Sequence, residues 1–142
     1  MNKTILSGRL TADPKLEEKV SDNNRYQWSH FTLAVKKNYL KQGEPDADFI
    51  MCTVFGHNAS YLVKYAEKGS RINLIGRLES RSQIDENGKR TYFYKVNVNE
   101  LWVLDYRQDM QSADQYPPYD PNGDDSDFSD VPDPDDVPFL NE

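Results

Sequence analysis

Flat rings and long cations run together through the body of this chain. Tyr39 lies between Lys37 and Lys41, Phe49 and Phe55 share one parity of an apolar run, and Arg77, Arg81, Lys89, Arg90 and Lys95 interleave with Tyr92 and Tyr94. A ring offers a face on which any planar base can stack, and a neighbouring cation can take an anionic backbone. These residue types suit a polyanion with exposed bases. The alternative for any ring is a place in the core or in a cross-strand pair, and for Trp28, Phe31, Tyr61 and Tyr65 that is the better reading.

Covalent and metal chemistry have little to work with. The histidines are His30, inside a strand-like run, and His57, next to Gly56, without the paired spacing of a metal site or a nucleophilic triad. Cys52 is the single cysteine, sits in an apolar run and reads as a small buried hydrophobe. Asp120-Pro121-Asn122-Gly123-Asp124-Asp125 resembles a calcium loop only in outline, because its glycine is misplaced and no Glu closes it. These absences predict a protein that is not an enzyme and uses neither cofactor nor metal.

The charge is divided along the chain. All 17 Lys and Arg lie at or before Arg107, against 13 acids over the same residues, a net of +4; from Gln108 onward 11 acids stand without a Lys or Arg. A mildly basic body contacts nucleic acid and a strongly acidic segment stays in solvent. No signal-like opening and no long apolar run occurs, which predicts a cytoplasmic protein at the nucleoid.

The elements that must position the rings are mostly strands. Lys3–Leu10 reads as a first strand, Thr11-Ala12-Asp13-Pro14 and Asp22-Asn23-Asn24 as turns, and Tyr26–Lys37 as a second strand with Phe31, Leu33 and Val35 on one face. Trp28 falls on the other parity, which suggests a bulge before Phe31. After a polar loop, Lys41–Asp48, comes a third strand, Phe49–Phe55. Ile50, Cys52 and Val54 occupy one of its faces and Phe49, Met51, Thr53 and Phe55 the other, so a ligand or a second subunit must cover what the core does not.

The period then changes. Asn58–Lys68 carries Ala59, Leu62, Val63 and Ala66 at helical spacing, with Asn58 as N-cap and Gly69 as stop. Strand four is Arg71–Arg81, Asp85-Glu86-Asn87-Gly88 is a hairpin turn, and strand five runs from Arg90 to about Leu104. Three strands, one short helix and two strands predict an all-β fold, a five-stranded Greek-key barrel of the OB type, over residues 1–106. Residues 107–142, rich in Asp, Pro and Ser without periodicity, are predicted to be disordered.

Taken in order, Asn2-Lys3, Ile5-Leu6, Gly8-Arg9-Leu10, Asp13-Pro14, Phe31-Thr32-Leu33-Ala34-Val35, Asp48-Phe49-Ile50, Val54-Phe55-Gly56, Lys68-Gly69-Ser70 and Gly76-Arg77-Leu78 resemble the bacterial and phage single-stranded DNA-binding protein family. The resemblance spans roughly residues 2–104. It implies an OB fold that assembles as a homotetramer and coats single-stranded DNA in replication, recombination and repair. It also implies stacking roles for Tyr39, Phe49 and Phe55 and basic contacts from Lys3, Lys68 and Arg81. Gln83 stands where that family commonly has a ring, a gap that Tyr92 or Tyr94 would have to fill.

Two apolar islands interrupt the acidic segment, Phe128 and the run Asp135-Asp136-Val137-Pro138-Phe139-Leu140. Acids joined to an apolar tip have the composition of a short docking motif. The run resembles the Pro-Phe-ended tip by which the same family recruits replication and repair proteins, although here Leu140, Asn141 and Glu142 follow Phe139. That displacement of the terminal carboxylate predicts weaker docking. Two rival readings remain, another OB module such as an RNA-binding component, and an OB-fold nuclease, which would need a carboxylate cluster that the basic strands do not offer.

Overall fold

The computed structural model describes residues 1–110; of the segment predicted to be disordered, 107–110 are described and Gln108–Met110 form a short 3-10 turn, while the rest, with its calcium-like loop and its tip, falls outside the described residues. Six strands and one helix follow in order: β1 Thr4–Leu10, β2 Glu17–Ser21, β3 Asn24–Lys36, β4 Ala47–Phe55, α1 His57–Tyr65, β5 Arg71–Ile84 and β6 Arg90–Val103. The sheet order is β1-β5-β6-β4-β3-β2, and a further pairing of β1 with β3 at Arg9 and Leu10 closes it into a barrel. β4 and β6 run parallel, all other pairs antiparallel. This is the predicted OB-type barrel with α1 between its third and fourth barrel strands, plus one strand the sequence did not announce.

That strand is β2, which pairs with the first half of β3 from Glu17↔Trp28 to Ser21↔Asn24. Its residues are mostly exposed and charged, so alternation gives no signal. The turn is clearer: Asp22 and Asn23 have φ of 46° and 69°, the paired positive angles of a tight type I′ hairpin, which Asn and Asp tolerate best among residues other than glycine.

The core is built from Leu10, Phe31, Leu33, Cys52, Val54, Leu62, Ile72, Leu74, Val96, Val98, Leu101 and Val103, with Ala59 and Ala66 closing it from the helix side. Two glycines let strands cross at close range. A Cβ on Gly8 would collide with the Ala34 carbonyl oxygen, and one on Gly76 with that of Asn97. At Gly76 the β5–β6 register also shifts, leaving Asn99 unpaired between Val98 and Glu100, so the buried parity of β6 switches there.

Three local expectations are corrected. No bulge separates Trp28 from Phe31, because β3 pairs continuously with β4 from Trp28↔Phe55 to Lys36↔Ala47. Both residues are 6% exposed because both faces of this part of β3 are covered. Helix α1 is preceded by Gly56 rather than capped by Asn58, whose side-chain amide instead donates to the Asn99 carbonyl at 3.1 Å. The helix also stops at Tyr65, with extended backbone at Ala66, before Gly69 is reached. The tyrosines on it behave as core: Tyr61 is 8% exposed, and Tyr65 stacks on Tyr106 with centroids 5.3 Å apart.

Candidate nucleic-acid interface

Strand alternation turns Cys52 and Val54 of β4 into the barrel and leaves Phe49, Met51, Thr53 and Phe55 on its outer face. Phe49 is 63% exposed, whereas Phe55 is half-buried beside Trp28, its cross-strand neighbour. Thr53 lies opposite Asn97 of β6, so Asn97, Lys95 and Phe93 continue the same outer face. Across the next ladder these three oppose Arg77, Glu79 and Arg81 of β5. One surface over β4, β6 and β5 therefore carries three Phe rings and three cations.

Glu79 organises the cations. Its carboxylate accepts from the Arg77 guanidinium and from Asn97 Nδ2 at 3.1 Å, and lies 4.0 Å from Lys95 Nζ. Lys95 is 7% exposed, and burial holds its pKa below the ordinary lysine value. Glu79 opposes that shift, while Arg81 and Arg77 add to it. Glu79 thus offsets part of the burial cost of the Lys95 charge, a pairing invisible in the sequence because it needs the ladder register.

The other predicted residues divide by location. Tyr39 is 91% exposed in the β3–β4 loop, with Lys41 exposed nearby in the chain, while Lys37 Nζ is drawn to Asp48 at 3.7 Å and Glu44 at 3.8 Å. Lys3 and Lys68 fall at opposite ends of β1. Asn2 exchanges two hydrogen bonds with the Leu78 backbone and brings Lys3 beside the Arg77 segment, whereas the Lys68 amide donates to Asp13 Oδ1 at 2.7 Å, where β1 ends. Lys89 lies in the hairpin turn, where its amide donates to Asp85 Oδ1 at 2.7 Å.

The expected interleaving across the hairpin is corrected. Tyr92, Tyr94 and Arg90 oppose Ser82, Ser80 and Ile84, on the face that continues the core through Val96 and Leu78. Arg77 and Arg81 point to the other side. Neither tyrosine shares a face with Gln83, which lies opposite Thr91 on the side of Arg81; the ring on that side is Phe93, which the sequence reading passed over. Counting parity from the buried pair Val96 and Val98 would have found it.

The remaining reactive groups are engaged or buried. His30 Nδ1 is 2.8 Å from Thr53 Oγ1 and its Nε2 is 3.7 Å from the Glu17 carboxylate. Cys52 is 1% exposed, and burial pushes its thiol up to about 12. Among the described residues no three His, Cys, Asp or Glu side chains come together as metal ligands. No helix among them is long and apolar enough to cross a membrane.

An OB barrel with rings and cations on one outer face can stack bases and hold phosphates without reading sequence. Residues 1–104 match the single-strand binding protein family. The chain is 39% identical over 109 residues to single-stranded DNA-binding protein 2 of Clostridium acetobutylicum, which covers 77% of this chain and 80% of that protein. It is 33% identical over 140 residues to protein 3 of the same name and organism, covering 96% and 93%. With the single-stranded DNA-binding protein of Clostridium tetani it shares 35% identity over 115 residues, covering 81% and 78%. The chain belongs to the single-strand binding protein family.

Proposed function

We propose that this protein binds single-stranded DNA without sequence choice and coats it during replication, recombination and repair. The observation that carries the reading is the continuous outer face on which Phe49 and Phe55 meet Arg77, Arg81 and Lys95. Its relatives, named as single-stranded DNA-binding proteins, support DNA as the strand. Tyr39, with Lys37 and Lys41, extends the path over the β3–β4 loop, and Lys3 extends it along β5. Lys68, Lys89, Arg90, Tyr92 and Tyr94 serve a strand that wraps beyond this face. Assembly as a homotetramer is supported by a second outer surface, where Ile5 is 69% exposed beside the half-buried Ile75 and Trp102.

The acidic segment from Gln108 onward carries 11 acids, competes with DNA for the basic face and ends near Asp135, Asp136, Val137, Pro138, Phe139 and Leu140, the proposed docking run for replication and repair proteins. The protein works in the cytoplasm, at the nucleoid.

One titration series tests this reading. Oligo(dT), the RNA of matching sequence and a duplex are compared at rising salt, for the whole chain and for a chain truncated after Tyr106. Single-stranded DNA should bind best, the affinity should fall with salt, and truncation should strengthen it most at low salt. Equal affinity for the duplex, or a preference for RNA, would refute the assignment.

A further inference from the structure

The β5–β6 ladder carries two kinds of aromatic position, and they face opposite ways. Tyr92 and Tyr94 lie over Ser82 and Ser80 on the core-continuing side. Phe93 stands on the other, directly opposite Arg81, two residues from Lys95 and on the same face as Phe49 and Phe55. Its ring is half-buried, so part of it is seated against the sheet and part stays reachable, unlike the fully covered Trp28. Gln83, diagonal to it on that face, has no ring to offer.

We propose that Phe93 is a base-stacking platform, with Arg81 across the ladder and Arg77 farther along β5 taking the phosphates that flank the stacked base. The inference rests on the single-strand reading and adds a position to it. A base laid on Phe93 puts its own backbone over the β5 edge, where Arg81 and Arg77 project, so one nucleotide is held by ring and cation together. On the outward parity of this part of β6, Thr91, Phe93, Lys95 and Asn97, Phe93 is the one apolar residue. A purely electrostatic track would carry a polar residue there.

The test combines ultraviolet cross-linking of oligo(dT) to the full-length protein, read by peptide mass spectrometry, with affinity measurements on Phe93→Leu, Phe93→Trp and Tyr94→Leu. Cross-linked thymine should map to Phe93, beside any adduct on Tyr92 or Tyr94 from strand that wraps beyond this face, and Tyr94→Leu should weaken binding less than Phe93→Leu. Phe93→Leu, which keeps the apolar bulk, should weaken oligo(dT) binding about five- to a hundredfold, the range for loss of one base stack, with an unchanged salt slope because no charge is removed. Phe93→Trp should retain affinity, and its added fluorescence should be quenched as DNA binds, so that the position can be read even where Phe93→Leu folds poorly. Wild-type affinity in a folded Phe93→Leu, or cross-links confined to Tyr92 and Tyr94, would overturn the assignment. A wild-type protein that does not bind oligo(dT) at all would instead overturn the single-strand reading.

Discussion

Glu79 is an acid inside the basic face, and its removal should tighten DNA binding. In Glu79→Gln the side chain keeps its size while the charge sum of Arg77, Glu79, Arg81 and Lys95 rises by one. Glu79 holds Arg77, whose side chain is 52% exposed, so water screens the pair and its worth is that of a surface ion pair, at most about 1 kcal/mol. Returned to the DNA, that energy is about a fivefold gain in affinity near 50 mM salt. If the freed Arg77 takes one more phosphate, the slope of log affinity against log salt should steepen by about 0.7, which erases a fivefold gain over a tenfold rise in salt. Fluorescence titration of oligo(dT) between about 50 and 500 mM salt reads both quantities. The substitution also strips Lys95, 8% exposed at its side chain, of its nearest counter-charge, so thermal unfolding should show a small loss of stability. A folded Glu79→Gln that binds more weakly, or with an unchanged slope, would show that Glu79 orients Arg77 and Asn97 for DNA rather than competing with it.

Two further outcomes follow from burial. Phe49→Ala should weaken oligo(dT) binding by about 1–3 kcal/mol at almost no cost in stability, since the ring is 63% exposed, whereas Phe55→Ala should lose both affinity and thermal stability because it uncovers Trp28. Equal stability losses in the two variants, measured by thermal denaturation, would undo that division. Cys52 should resist iodoacetamide at pH 8 in the folded protein and react once it is unfolded, because a thiol held at about 12 is almost entirely protonated there; rapid alkylation of the native chain would contradict its burial.

The sequence alone determined what depends on local pattern. The apolar alternation of Phe31, Leu33 and Val35 placed β3, the helical spacing of Ala59, Leu62 and Ala66 placed α1, and the doubly apolar run Phe49–Phe55 announced a strand with an outer face that needs a ligand or partner. The division of charge at Arg107 was equally legible, since it needs only counting. Tertiary structure decided what depends on register and closure. β2 is an edge strand with no apolar face of its own, and it exists because β3 offers it a ladder. The shift at Asn99 inverts the buried parity of β6, so Leu101 and Val103 give the wrong face for Tyr92, Phe93 and Tyr94 and Val96 and Val98 the right one, a choice that pairing with Thr53 and Arg81 settles. Lys3 and Lys68 were read together from sequence, yet β1 holds them at its opposite ends. Glu79 became the counter-ion of Lys95 through a cross-strand pairing that sequence distance conceals, because a period of two fixes the face of a side chain but not its neighbour on the next strand.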